Sequence, residues 1–351
     1  MPVIRVAIAL ALAGGLSLFA STASASPERV AFRDAVLSPS AARTTQAVAE
    51  WGGPTVATDG ETVNIFLSDS YPVDPNLAKQ WADFMTSLVH GPELKTVSIH
   101  LLTLAEVQQR NVCGTDAYAC YLPNTGAIYA PETDPDPVTS ARGILIHEYG
   151  HHIAASQTNP PFVSETYGTK RWATYEDVCA RTQSGTLFPG AEQEPQYKLN
   201  PGEAFAESYR VLNEQKLGLP LEAWSIVSTT LYPDAGAMAA LQEDVTTPWT
   251  ADTVTTLSAK LTPKVPTKSF VVETPLDGRL TVKPTQSGKA TVSVSLLANT
   301  KAVATSSFAS ASGRSLSSTV CGLRRYTVRA KLSGKVTPKT KTTVKLTVAT
   351  P

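Results

Sequence analysis

The stretch ILIHEYGHHIA, residues 144–154, sets His147, Glu148, His151 and His152 inside an otherwise apolar run with the length and composition of a buried helix. At 3.6 residues per turn His147 and His151 share one face, near enough for a ring nitrogen of each to reach a single ion. Glu148 stands about 100° further round, beside that ion and not directly beneath it. This is the HExxH spacing, two zinc ligands and a general base. Ile144, Leu145, Ile146, Ile153 and Ala154 are apolar, and polar groups in such surroundings are costly unless paired or metal-bound. Gly150 is expected to leave space for the helix against a sheet.

Zinc takes four ligands, so with water as one of them a third protein ligand must come from elsewhere. A continuation HExxHxxGxxH is absent, because residues 151–158 read HHIAASQT. A later helix can supply a glutamate. In NPGEAFAESYR, residues 200–210, Asn200 can cap, Pro201 suits the first turn, and Glu203 and Glu207 lie one turn apart on one face. One carboxylate can reach the metal while the other accepts the free N–H of a ligand histidine, fixing its tautomer. His152 points about 100° away from His151 and is expected to support the site or the fold. His90, near a helix end, and His100, in a strand, read as structural.

HEYGH, with 51 residues separating His151 from Glu203 in GEAFAESYR, resembles the gluzincin zinc metallopeptidases. The E-A-F-A-E-S-Y form is most similar to catalytic domains of the lethal-factor and Pro-Pro-endopeptidase type. The resemblance covers about residues 60–250 and rests on these two short motifs. It implies a zincin-like fold in which Glu203 binds zinc with His147 and His151, and Glu207 supports a ligand histidine. It also implies that Tyr197, in EPQYKLNPGE, donates to the developing oxyanion. The reaction implied is peptide-bond hydrolysis by a zinc-bound water that Glu148 activates, with the proton then passed to the leaving amine. In this fold the strand before the active helix lies at the cleft edge, so TGAIYAP (125–131) is expected to pair with an extended substrate.

The rest of the chain places this centre in context. At 351 residues it suits about two domains. Arg5, the apolar run VAIALALAGGLSLFA and the Ala23-Ser24-Ala25 pattern read as a signal peptide over residues 1–25. No later segment has the roughly 18–20 apolar residues of a bilayer span, so the mature protein is expected to be secreted and without a transmembrane anchor. Residues 26–57, rich in Ala, Ser and Thr, fit a propeptide, a flexible lead-in or an N-terminal arm. In an oxidising compartment Cys113 and Cys120, bracketing a short polar loop, are expected to bridge, which leaves Cys179 for Cys321.

Strand patterns at TVNIFLS, KTVSIHLLT and TGAIYAP precede the metal helix. DPNLAKQWADFMTSLVHG reads as a helix capped by Asp74 and stopped before Gly91, and the segments near 169–183, 200–217 and 234–246 read as helices. The expected fold is an α+β zincin-like domain over residues 58–253, followed by a small all-β, sandwich-type domain over 254–351. LTPKVPTK, residues 261–268, is expected to be the linker or the lead-in to a first strand. Charge divides the same way. Residues 26–253 hold 13 Lys/Arg against 28 Asp/Glu, net −15, and residues 254–351 hold 16 against 2, net +14.

The leading expectation is a secreted zinc endopeptidase acting on peptides or proteins, with no nucleic-acid partner. Two others stand beside it: a non-catalytic surface-binding protein that keeps the zincin fold, and a zinc hydrolase acting on cell-wall peptide cross-links. The basic domain either holds the enzyme on an anionic cell-surface polymer or complements its acidic neighbour.

Overall fold

The structure is a computed structural model and describes residues 49–109, 113, 114 and 117–351. The expected signal peptide and most of the 26–57 lead-in lie outside the described residues. Residues 62–68 alternate as a half-buried strand should, with Val63, Ile65 and Leu67 inward. They form β2 (Thr62–Ser68), which runs parallel to β3 (Ser98–Leu102), itself parallel to β5 (Ala127–Pro131). Ile65, Ile99 and Ile128 are in register across the three strands and fully buried. Antiparallel strands β1 (Glu50–Val56) and β4 (Cys120–Leu122) complete the order β1-β2-β3-β5-β4.

Strand β1 lies ahead of residue 58 and pairs with β2 along its whole length. Its Gly52-Gly53-Pro54 sequence reads as loop, and proline is tolerated because β1 is an edge strand. Helix α1 (Pro75–Ser87) starts as expected, with the Asp74 side chain accepting the Asn76 N–H at 2.9 Å, a cap worth about 1 kcal/mol. It ends at Ser87, and Gly91 instead precedes a 3-10 turn, Pro92–Lys95. The short helix α2 is Leu104–Gln109.

Helix α3 (Ala141–Ser156) carries the histidines, and residues 143–154 are buried throughout. Ser140 caps it by accepting the Gly143 N–H at 2.8 Å. Four helices follow: α4 (Ser164–Tyr167), α5 (Lys170–Tyr175), α6 (Val178–Gln183) and α7 (Pro201–Leu217). Asn200 caps α7 and Gly218 ends it in the left-handed region at φ 65°. Helix α8 (Ala235–Thr246) then leads through residues 247–252 into the second half.

The second half has eight strands. They are β6 (Thr253–Leu261), β7 (Thr267–Thr274), β8 (Gly278–Gln286), β9 (Thr291–Ala298), β10 (Lys301–Phe308), β11 (Leu316–Val320), β12 (Arg324–Ser333) and β13 (Thr342–Thr350). Two antiparallel sheets, β10-β9-β12-β7 and β11-β8-β13-β6, turn their apolar residues onto one shared core. Residues 261–268 are not an interdomain linker: they end β6, turn at the Thr262–Val265 bridge and begin β7.

The two halves are joined covalently by Cys179–Cys321, and Cys113–Cys120 closes the loop before β4. At the junction the charge signs are inverted. Buried Lys170 comes from the acidic half and lies within electrostatic reach of Asp277, one of the two acids in the basic half. Asp277 donates its N–H to Thr174 Oγ1 at 2.9 Å and accepts the Gly322 N–H. Burial outweighs mutual attraction here, pushing Lys170 down to about 8 and Asp277 up to about 6. Among the described residues no helix is long and apolar enough to cross a membrane.

Candidate metal centre

Helices α3 and α7 pack closely because of one glycine. A Cβ on Gly150 would stand 2.9 Å from Ala206 Cα, so the space it leaves faces α7 and not the sheet, as its sequence context had suggested. His147 and His151 flank Gly150 along α3, and Glu203 and Glu207 flank Ala206 along α7. The close approach of the two backbones therefore brings all four side chains into one buried layer.

Three donor atoms converge there. His147 Nε2 and His151 Nε2 are 3.2 Å apart, and Glu203 Oε2 lies 3.4 Å from the first and 3.5 Å from the second. The His147, His151 and Glu203 side chains are the group among the described residues that can hold a metal ion. A tetrahedral ion with bonds of about 2.0–2.1 Å places its ligand atoms about 3.3–3.4 Å apart, so the observed triangle fits such an ion. The donor set fits as well, since imidazole nitrogens and one carboxylate suit zinc.

The tautomer of His147 follows from its partner. Its Nδ1 faces Glu207 Oε1 at 3.1 Å, and a carboxylate only accepts, so Nδ1 carries the proton and Nε2 turns its lone pair to the centre. Burial alone would raise the Glu207 carboxyl, but Arg210 and His147 outweigh it and hold the group well below the usual carboxylate range. Arg210 Nη2 donates to Glu207 Oε2 at 2.5 Å and its Nη1 to Glu214 Oε1 at 2.6 Å. Glu214 in turn accepts the Glu222 N–H at 3.2 Å, and Glu222 Oε1 accepts from Ser140, the cap of α3. Arg210 and Glu214 escaped the sequence reading, although the i, i+3 step from Glu207 to Arg210 and the i, i+4 step from Arg210 to Glu214 could have found them.

Glu148 is fully buried on α3 next to His147. Tyr197 lies in a 3-10 turn, Tyr197–Leu199, just before α7, and its hydroxyl donates to Glu203 Oε2 at 3.3 Å. His152 belongs to the fold: its Nδ1 is 3.2 Å from Tyr121 Oη and its Nε2 3.0 Å from the Glu93 carbonyl. His100 pairs through Nδ1 with Glu50 at 3.0 Å, and His90 Nε2 meets the Thr86 carbonyl at 3.2 Å. Neither approaches the centre. Glu165 on α4 was not anticipated. It lies within electrostatic range of His151, and burial raises its carboxyl.

Two cavities, lined by none of His147, His151 and Glu203, lie at the ends of α3. One of about 1020 Å³ opens at its N-terminal end, around Ser140–Gly143 and Leu219–Ala223, and one of about 530 Å³ at its C-terminal end, around Ala154 and Pro160–Glu165. The expected role of TGAIYAP as a pairing edge is overturned. Strand β5 is hydrogen-bonded to β3 on one side and β4 on the other, and the edge belongs to β4.

No protein-family model matches the sequence, and no curated protein does. Among solved structures the chain is similar to the pre-peptidase C-terminal domain of a collagenase from Bacillus anthracis. That match has 11% identity and a TM-score of 0.23, and it covers 27% of this chain and 87% of that one. It is also similar to a Yersinia pseudotuberculosis-derived mitogen, at 11% identity and TM-score 0.22, covering 28% of this chain and 87% of that one. Likeness of this degree assigns neither activity nor ligand.

Proposed function

We propose that the protein is a secreted zinc-dependent endopeptidase of gluzincin type with a zincin-like first domain. The reading is carried by the triangle of His147 Nε2, His151 Nε2 and Glu203 Oε2, whose 3.2–3.5 Å edges match a tetrahedral metal site. Two disulfides support an oxidising compartment.

When bound by these three side chains, zinc polarises a substrate carbonyl and lowers the pKa of a water toward about 7. Glu148 takes the proton of the attacking water and delivers it to the leaving amine. The Tyr197 hydroxyl donates to the negative charge that develops on the carbonyl oxygen, an interaction made in the transition state. Glu207, held by Arg210, keeps the His147 ring oriented and its Nδ1 protonated. Retention of Glu148, which metal binding does not require, favours catalysis over a purely adhesive role. An extended peptide would add to β4, the edge strand beside α3.

Digestion of a peptide library by the full chain, with and without a zinc chelator, tests the reading. Cleavage at internal bonds that stops on chelation and returns with zinc is expected. No cleavage by zinc-loaded protein, or cleavage indifferent to chelation, overturns it.

A further inference from the structure

The basic charge of the second half has a definite geometry. In the β11-β8-β13-β6 sheet the inward residues Ala259, Leu261, Leu280, Val282, Val344, Leu346 and Val348 are buried, and the alternate residues face outward. Lys345 on β13 stands opposite Ser258 on β6 and Thr285 on β8. Lys260 is opposite Thr343, one row to one side, and Lys283 is opposite Thr347, one row to the other. Lys260, Lys345 and Lys283 thus form a diagonal stripe with steps of about 7–8 Å, and Arg279 continues it along β8.

No strand of this sheet contains an acidic residue. The two acids of the basic half are engaged elsewhere, Glu273 with Arg325 at 2.7 Å on the other sheet and Asp277 at the junction. Like charges placed diagonally across strands repel and weaken a sheet, and here nothing within the sheet offsets them. Nor does the acidic half cover them: all four cations are exposed, while the junction is built from Cys321, Asp277, Lys170 and Thr174. Complementing the neighbour's charge therefore does not account for the stripe.

We propose that this face binds a hydrophilic polyphosphodiester, a polyol-phosphate chain of the cell-surface kind. Lysine ammonium groups are point charges suited to single phosphates. The same rows carry Thr256, Ser258, Thr285, Thr343 and Thr347, and the next row Thr281, hydroxyls that can bond to polyol and phosphate oxygens. The outward positions hold no aromatic side chain on which bases would stack, and their large apolar side chain, Val254, lies at the far end from Lys260, which leaves little to insert into lipid.

The test is a binding titration of the full chain against purified poly(glycerol phosphate), with duplex DNA and anionic lipid vesicles as parallel probes. Lys260→Glu/Lys283→Glu/Lys345→Glu is compared with an equal charge reversal on the other sheet, Lys301→Glu/Arg329→Glu/Lys331→Glu, and thermal midpoints confirm that both fold. The stripe variant is expected to lose about tenfold or more in affinity for the polymer and to show a shallower salt dependence, and the control about threefold or less. Equal losses in the two variants, absence of polymer binding by the unaltered chain, or tighter binding to DNA or vesicles than to the polymer overturns the proposal.

Discussion

Gly150 and Ala206 bring α3 and α7 into close contact, so that a Cβ on Gly150 would lie 2.9 Å from Ala206 Cα and 3.3 Å from its Cβ. Since the donor residues flank this contact on both helices, the interhelix distance sets the size of the triangle. Gly150→Ala should separate the helices, cost about 1–3 kcal/mol by overpacking, and weaken metal binding in parallel. Urea unfolding and a metal-competition titration check this. Unchanged metal affinity in a destabilised variant would detach the site from the contact.

Glu203 and Glu207 have different jobs and should fail differently. Glu203→Ala should lose the metal and with it any peptidase activity. Glu207→Ala should retain a site weakened by about 10–100-fold, because it removes only the acceptor behind His147 Nδ1. Metal analysis of the purified variants gives the order, and the reverse order would exchange the two roles.

Arg210 is buried between Glu207 and Glu214. Arg210→Met leaves two carboxylates facing one another without their cation, so a loss of about 3–5 kcal/mol in unfolding free energy is expected. Arg210→Lys should recover only part of this, since lysine cannot reproduce the forked contact to Glu207.

At the junction, burial pushes the Asp277 carboxyl up to about 6 from an ordinary value of 3.8, against the pull of Gly322 and Cys179 N–H groups and Lys170. A raised folded pKa means the folded protein holds the proton more tightly. The group's contribution is thus fully present below about pH 4 and lost as pH rises through about 6. Asp277→Asn stays neutral, so its stability should gain on the unaltered protein between about pH 4 and 6, by at most about 3 kcal/mol. Calorimetry across that range reads the gap, and a constant gap would contradict dominance by burial.

Helix periodicity places His147 beside His151 and Glu203 beside Glu207, and Asn200 and Pro201 mark where α7 begins, while the choice of Glu203 over Glu207 as donor rested on the resemblance of the motif. Strands with clear alternation, such as Thr62–Ser68, were legible from their period as well. Strand β4 has only three residues, too few for a period to show, and β1 hides behind Gly52, Gly53 and Pro54. Residues 261–268 resemble a linker because a proline-rich hairpin turn and a linker share a composition. Pairing partners are non-local, so the sequence could not show that β4 occupies the second edge of β5 or that Gly150 faces a helix.

Glu148→Gln tests the central claim most directly. The account predicts about one zinc per chain by elemental analysis, as in the unaltered protein, with peptide cleavage reduced by at least about a hundredfold, because the glutamate moves protons and does not hold the metal. Near-normal cleavage by the zinc-loaded variant would contradict it.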